Sequence, residues 1–80
     1  MYRVILLNDN YTTMEFVVMA LETIFAKTRV EAEAIMLSIH TNGSGLAGVY
    51  TKEIAETKAA SVHKLARQHE FPLRCKIEKM

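Results

Sequence analysis

The 80-residue sequence contains only one cysteine, one proline and three glycines, and it has no tryptophan. Half of the residues are apolar, so the chain is neither disordered nor collagen-like but has the composition of a compact globular protein. Cys75 has no partner for an internal disulfide, which favours a reducing cytoplasm. The length predicts a single domain, residues 1–80, too small for the deep cleft of most enzymes.

Clusters of one charge and long apolar runs are also missing. Ten basic and nine acidic residues leave a net charge of +1, and no stretch gathers enough Lys and Arg to bind a row of phosphates. The longest apolar run, residues 16–21, is far shorter than the about 20 residues that span a bilayer. No secretory signal precedes the first apolar segment. We therefore expect a cytoplasmic protein without a nucleic-acid or membrane partner.

Hydrophobic periodicity predicts six elements in the order β-α-α-β-α-β. Residues 2–7 form an apolar run with β-branched members, and residues 73–77 alternate apolar with charged side chains, so both indicate strands. A shorter run, residues 46–50, indicates a third strand. The segments between them carry helical apolar stripes. Three helices on one face of a three-stranded antiparallel sheet is the economical arrangement, and the predicted fold class is α+β.

The ends of two helices are marked by local signals. Thr12 with Glu15, and Thr28 with Glu31, each stand three residues apart before an apolar stripe, and both pairs predict capping boxes. Gly43 after the second stripe predicts the end of that helix.

Common catalytic and cofactor motifs are absent. The Gly-Ser-Gly segment at residues 43–45 lacks the lysine and the spacing of a phosphate-binding loop. His40, His63 and His69 do not repeat at metal-ligand spacing, so no metal and no cofactor are expected. Cys75 is expected to be a small buried side chain. A small metal-dependent or cysteine-dependent enzyme remains an alternative.

The most informative segment is residues 8–14, between the first strand and the first helix. Taken alone, it is typical of a tight turn followed by a helix cap, and His40 alone is typical of an imidazole at a helix C-terminus. If the two are neighbours, an amide, a carboxylate and an imidazole converge beside Met14 and Met36. Such a site offers acceptors for an ammonium group next to an apolar cup, and its natural ligand is the N-terminus of a peptide with a bulky first residue.

Six short segments, collinear over nearly the whole chain, combine into a specific pattern: Asn8-Asp9, Thr12-x-Met14-Glu15-Phe16, Met36-Leu37-x-Ile39-His40, Gly48-Val49-Tyr50-Thr51, Glu56-Thr57-Lys58 and Pro72-Leu73. This pattern resembles the ClpS family of small adaptors, which deliver N-end rule substrates to the ATP-dependent ClpAP protease. The resemblance implies three helices on a three-stranded antiparallel sheet, in agreement with the predicted elements, and a function as a non-enzymatic adaptor.

The resemblance also implies a role for individual residues. Asn8, Asp9 and His40 would hold the α-amino group of the substrate. Glu53 and Lys58, on the third helix, would dock on the N-terminal domain of the ClpA unfoldase. A pocket for a first residue such as Leu, Phe, Tyr or Trp would be lined by Leu7, Thr12, Met14, Val17, Met36, Ile39 and Leu73.

The chain departs from the family pattern at three positions. Asn10 and Thr13 stand where the family usually has Asp and Pro, and Ile39 stands where valine is more common. These changes are typical of a diverged paralogue with an altered ranking among Leu, Phe, Tyr and Trp. The flexible N-terminal extension through which the family engages the unfoldase is not among these 80 residues, so substrate binding is the activity expected of them. The alternative from another class is a structural interaction domain like the C-terminal domain of the ribosomal stalk protein, which would need no amine-binding site.

Overall fold

The computed structural model describes residues 1–80 and has the predicted element order. The strands are β1 (Tyr2–Leu7), β2 (Ser44–Tyr50) and β3 (Arg74–Lys79). The helices are α1 (Met14–Ile24), α2 (Arg29–Asn42) and α3 (Lys52–Gln68). The strand order is β2-β1-β3 and both pairs are antiparallel. The α+β class and the three-stranded antiparallel sheet predicted from the sequence are confirmed.

One hydrophobic core lies between the helices and one face of the sheet. Val4 and Leu6 of the central strand are fully buried there, because side chains two apart on a strand face the same way. Leu21 of α1 is also fully buried. The buried residues of α3 are small, which lets its backbone lie close to the sheet: Ala55, Ala59, Val62 and Ala66. None of the three helices has the length and apolar character needed to cross a membrane.

The start of α1 differs from the predicted capping box. Its N-cap is Thr13, whose Oγ1 accepts a hydrogen bond from the main-chain N–H of Phe16 at 3.2 Å. Thr12 lies one residue earlier, and its Oγ1 donates to Asp9 Oδ2 at 2.6 Å. The capping box of Thr12 with Glu15 is therefore wrong. The short hydrogen bond to the carboxylate ties the Thr12 side chain to the loop, and Thr13 caps the helix, which begins one residue later than predicted.

Both ends of α2 are as predicted. Thr28 Oγ1 accepts from the N–H of Glu31 at 3.2 Å, and Glu31 Oε1 accepts from the N–H of Thr28 at 2.9 Å, which completes a capping box. Gly43 ends the helix with φ of 89°, a left-handed conformation that glycine adopts without strain. The last turn of α2, which carries His40, is thereby fixed.

Gly45 allows helix α2 to lie close to β2. A Cβ atom at Gly45 would lie 2.7 Å from Ile39 Cγ1 and 3.1 Å from the carbonyl oxygen of Ile35. Any larger residue would push α2 away from the sheet, at a cost of roughly 1–3 kcal/mol for an overpacked contact. The missing side chain therefore sets the depth at which Ile39 lies.

Candidate functional site

A cavity of about 390 Å³ opens between the loop after β1, the start of α1 and the end of α2. Its volume falls within the range of about 300–1,000 Å³ that is usual for small-ligand sites. Eleven residues line it, most of them polar on the loop side and apolar on the helix side: Asn8, Asp9, Asn10, Tyr11, Thr12, Thr13, Met14, Val17, Met36, Ile39 and His40.

Most of the site residues predicted from the sequence meet at this cavity. The lining includes the three residues assigned to the amine and five of the seven assigned to the side-chain pocket. Leu7 and Leu73 are outside it. Leu7 follows the buried Leu6 and so extends from the other face of the sheet. Leu73 is 3% exposed and contributes to the core and to a different cavity.

The loop that carries the polar lining is organised around the carboxylate of Asp9. Asp9 Oδ1 accepts from the main-chain N–H of Tyr11 at 2.8 Å and of Thr12 at 2.7 Å. Asp9 Oδ2 accepts from the hydroxyl of Thr12 at 2.6 Å. Burial raises the pKa of Asp9, but these hydrogen bonds and the positive charge of Arg74 outweigh it and hold the pKa below its ordinary value of 3.8. Asp9 is therefore an anion at neutral pH.

Asn8 connects this loop to the end of α2. Its main-chain N–H donates to the carbonyl oxygen of Gly43 at 3.0 Å, which brings the loop against the last turn of that helix. His40 lies in this turn and is exposed. Neither the amide of Asn8 nor the ring of His40 is hydrogen-bonded to another protein group, so both remain free to accept from a ligand.

The opposite wall of the cavity is apolar. Val17 and Ile39 are buried at its base, and Met36 is half-buried. Met14, the first residue of α1, is 47% exposed and stands at the mouth. The cavity therefore places an anionic, acceptor-rich rim beside an apolar recess.

Sequence reasoning gave no binding role to three of the lining residues, Asn10, Tyr11 and Thr13, of which Tyr11 has the largest side chain. Tyr11 is 78% exposed and lines the mouth of the cavity. Tyr11 lies between Asp9 and Thr12, which are joined by hydrogen bonds across the loop. This position in the sequence would have identified it.

Cys75 and His63, which lie on β3 and α3, are in contact. Cys75 Sγ lies 3.8 Å from His63 Nε2, and the main-chain N–H of Cys75 donates to the same nitrogen at 3.3 Å. Burial raises the pKa of the Cys75 thiol to about 11. The thiol is thus protonated at neutral pH, and a thiol in that state is a poor nucleophile. No group of three or more His, Cys, Asp or Glu residues is arranged to hold a metal ion.

Comparison with known families decides between the alternatives. The sequence model of "ATP-dependent Clp protease adaptor protein ClpS" matches residues 1–76. The chain belongs to the ClpS family. This membership confirms the resemblance seen in the motifs, and it favours an adaptor of the Clp protease over a ribosomal-stalk-like domain.

Named ClpS relatives are similar over the whole chain. The ClpS adapter protein of Desulfotalea psychrophila is 61% identical over 79 residues, covering 99% of this chain and 78% of the relative. That of Lawsonia intracellularis is 59% identical over 80 residues, covering 100% of this chain and 73% of the relative. A solved structure of Agrobacterium tumefaciens ClpS2 bound to L-phenylalaninamide superposes with a TM-score of 0.93 at 38% identity, covering 96% of this chain and 93% of that one.

The charge of Asp9 makes the stability of the ClpS fold depend on pH. Because the pKa of Asp9 is lowered in the folded state, its contribution is present above the unfolded pKa of about 3.9 and is lost as the pH falls through the lower folded value. As the pH is lowered from 7 to below about 4, we expect the free energy of unfolding to fall less for Asp9→Asn than for the wild type. Urea midpoints measured between about pH 2.5 and pH 7 test this.

Glu31→Gln is the matched control for that measurement. The main-chain and side-chain hydrogen bonds of Thr28 lower the pKa of Glu31, so this variant should also flatten the pH dependence. Glu31 lies at the start of α2, outside the cavity lining, so peptide binding should change only for Asp9→Asn. Identical pH curves for Asp9→Asn and wild type would contradict the role given to the carboxylate.

Proposed function

We propose that this chain is a non-enzymatic adaptor that binds the α-amino group and the bulky apolar side chain of a substrate's first residue, and delivers that substrate to a ClpA-type unfoldase in the cytoplasm. The observation that carries the proposal is the single cavity that joins Asn8, Asp9 and His40 to an apolar wall. An enzyme of this size would need an activated group, and the one cysteine is held as a thiol.

The amine end of the ligand fits the free acceptors. A carboxylate has about four lone-pair positions, and protein donors already occupy three of those on Asp9. Asp9 therefore acts mainly through its charge and through the loop it holds. Asn8 and His40 supply the direct acceptors, each worth about 1.5–3 kcal/mol for a charged donor before entropy is deducted.

The side-chain end of the ligand fits the apolar wall. Burying a Leu or Phe side chain there contributes about 1.5–3 kcal/mol. Neither this nor the amine contacts alone gives useful affinity, so selectivity requires both. The ClpS2 structure supports this division, because L-phenylalaninamide has a free α-amine, an aromatic side chain and an amide in place of its carboxylate, as the first residue of a peptide does.

Docking on the unfoldase is assigned to the start of α3. Glu53 is exposed there, beside Ile54, which is 48% exposed. Lys58 is less available than expected, because its Nζ donates to the carbonyl oxygen of Ile24 at 2.6 Å and lies 5.7 Å from the centre of the Tyr50 ring. Lys58 thus also holds the C-terminal end of α1, and Glu53 offers the cleaner test of docking.

Removing the Asn8 amide tests the amine site. Asn8→Ala should weaken binding of a Leu-initiated peptide at least tenfold, since about 1.4 kcal/mol is a factor of ten. Asn42→Ala is the control, because Asn42 ends α2 but does not line the cavity. Fluorescence anisotropy should give wild-type affinity for the control. Equal affinities for the two variants would refute the assignment of Asn8.

Met14 at the cavity mouth should exclude β-branched first residues. Val and Ile carry a second substituent on Cβ that cannot rotate away from a neighbouring side chain, whereas Leu and Phe branch one atom later. Met14→Ala should therefore gain binding of Ile- and Val-initiated peptides with little loss for Leu. Met19→Ala, on the same helix but outside the cavity, should gain nothing. A Met14→Ala variant that still rejects Ile and Val would place selectivity elsewhere.

Reversing the charge of Glu53 tests docking. Glu53→Lys should weaken the complex with the unfoldase, most strongly at low salt, and leave peptide affinity unchanged. Glu33→Lys is the control, since Glu33 is on α2 and its exposed ion pair with Arg29 contributes little. Unchanged unfoldase capture by Glu53→Lys in a pull-down would remove this surface from the proposal.

A further inference from the structure

A second cavity, of about 250 Å³, lies between the end of α3 and the start of β3. Of its residues, only Arg74 also bears on the proposed adaptor function, because its positive charge helps to hold Asp9 ionised. Its lining combines three nitrogen-bearing side chains with an apolar floor: His63, Arg67, Phe71, Pro72, Leu73 and Arg74.

The arginines of this cavity have no ion-pair partners. Arg67 and Arg74 are both exposed, and the two ion pairs of the protein are Arg29–Glu33 and Lys76–Glu78. His63 adds a donor, because its Nε2 accepts the main-chain N–H of Cys75 and the ring proton must then lie on Nδ1. The polar side chains of the cavity are thus donors, and they match a carboxylate ligand.

The floor of the cavity is apolar and firmly held. The ring of Phe71 packs against that of Phe16 with centroids 4.9 Å apart, and Leu73 is 3% exposed. A carboxylate carried on a short apolar stem fits such a site, since the stem lies on the floor while a guanidinium binds the two oxygens as a bidentate pair. An aspartate or glutamate side chain has this shape.

The second cavity is close to the first. Arg74 pairs with Leu7 across β1 and β3, and Asn8 and Asp9 follow Leu7 directly. Adjacent strands are about 4.8 Å apart, so the backbone of Arg74 lies on the order of 10 Å from the loop of the first cavity. An extended peptide advances about 3.3–3.6 Å per residue, so three further residues cover that distance.

We infer that the second cavity is a subsite for an acidic residue at the third to fifth position of a substrate whose first residue occupies the first cavity. The inference rests on the proposed function and adds a preference to it. An acidic second residue gains nothing, because it lies beside the negative charge of Asp9. The substrates favoured by this chain then have a bulky apolar first residue followed, after a short gap, by Asp or Glu.

A peptide series tests the subsite. Leu-initiated peptides with Glu or with Gln at positions four and five are compared by fluorescence anisotropy at low and at moderate salt. The Glu peptide should bind at least fivefold more tightly at low salt, and the advantage should shrink as salt screens the exposed charges. Arg67→Gln should abolish most of it. Lys64→Gln, which removes the same charge from an exposed position of α3 outside the cavity, should retain it.

Each alternative outcome has a distinct meaning. Equal binding of the Glu and Gln peptides, or equal losses in Arg67→Gln and Lys64→Gln, would overturn the subsite. If the N-acetylated Glu peptide binds as tightly as the free one, the cavity takes an independent acidic segment and the inference is again wrong. Failure of the Gln peptide to bind at all would instead contradict the proposed function, so the two claims fail separately.

Discussion

The binding site depends on the hydrogen bonds that the carboxylate of Asp9 accepts. The carboxylate accepts three hydrogen bonds within four residues of chain and so fixes a loop that has no secondary structure of its own. The same anion supplies the negative charge at the cavity rim. Removing it would leave two main-chain N–H groups and a hydroxyl without their acceptor. The order of the loop and the negative charge that faces the ligand would then be lost together. Structure and recognition are coupled through one side chain.

The remaining walls are held by contacts that reach outside the cavity. The hydrogen bond from Asn8 to Gly43 joins the loop to α2, and the absent side chain of Gly45 lets α2 lie deep against the sheet. The recess is therefore formed before a ligand arrives. Preformed sites lose less conformational entropy on binding, which matters for a ligand that offers only one amine and one side chain.

Local signals in the sequence were sufficient for the element order and for α2, because a capping box and a C-terminal glycine act within one helix turn. The local signals failed where a side chain bonds to the preceding loop, and where the alternation of a strand decides the face to which a side chain points. Thr12 was predicted to cap the helix, but its hydroxyl donates a hydrogen bond to Asp9 in the loop. Leu7 was predicted to line the pocket, but the alternation of side chains along β1 places it on the face of the sheet opposite to the buried Leu6. The second cavity was missed because Arg67 and Arg74 lie in different elements, and only the turn at residues 69–73 brings them together.

The most direct test of the account is an NMR titration with L-leucinamide and with its N-acetylated form. The two ligands share the side chain and differ only in the charged amine. We expect saturable chemical-shift changes for the free amine, concentrated at Asn8, His40 and Met14, and almost none for the acetylated form. Equal shifts with both ligands, or shifts located away from these residues, would contradict the claim that this cavity binds an α-amino group together with an apolar side chain.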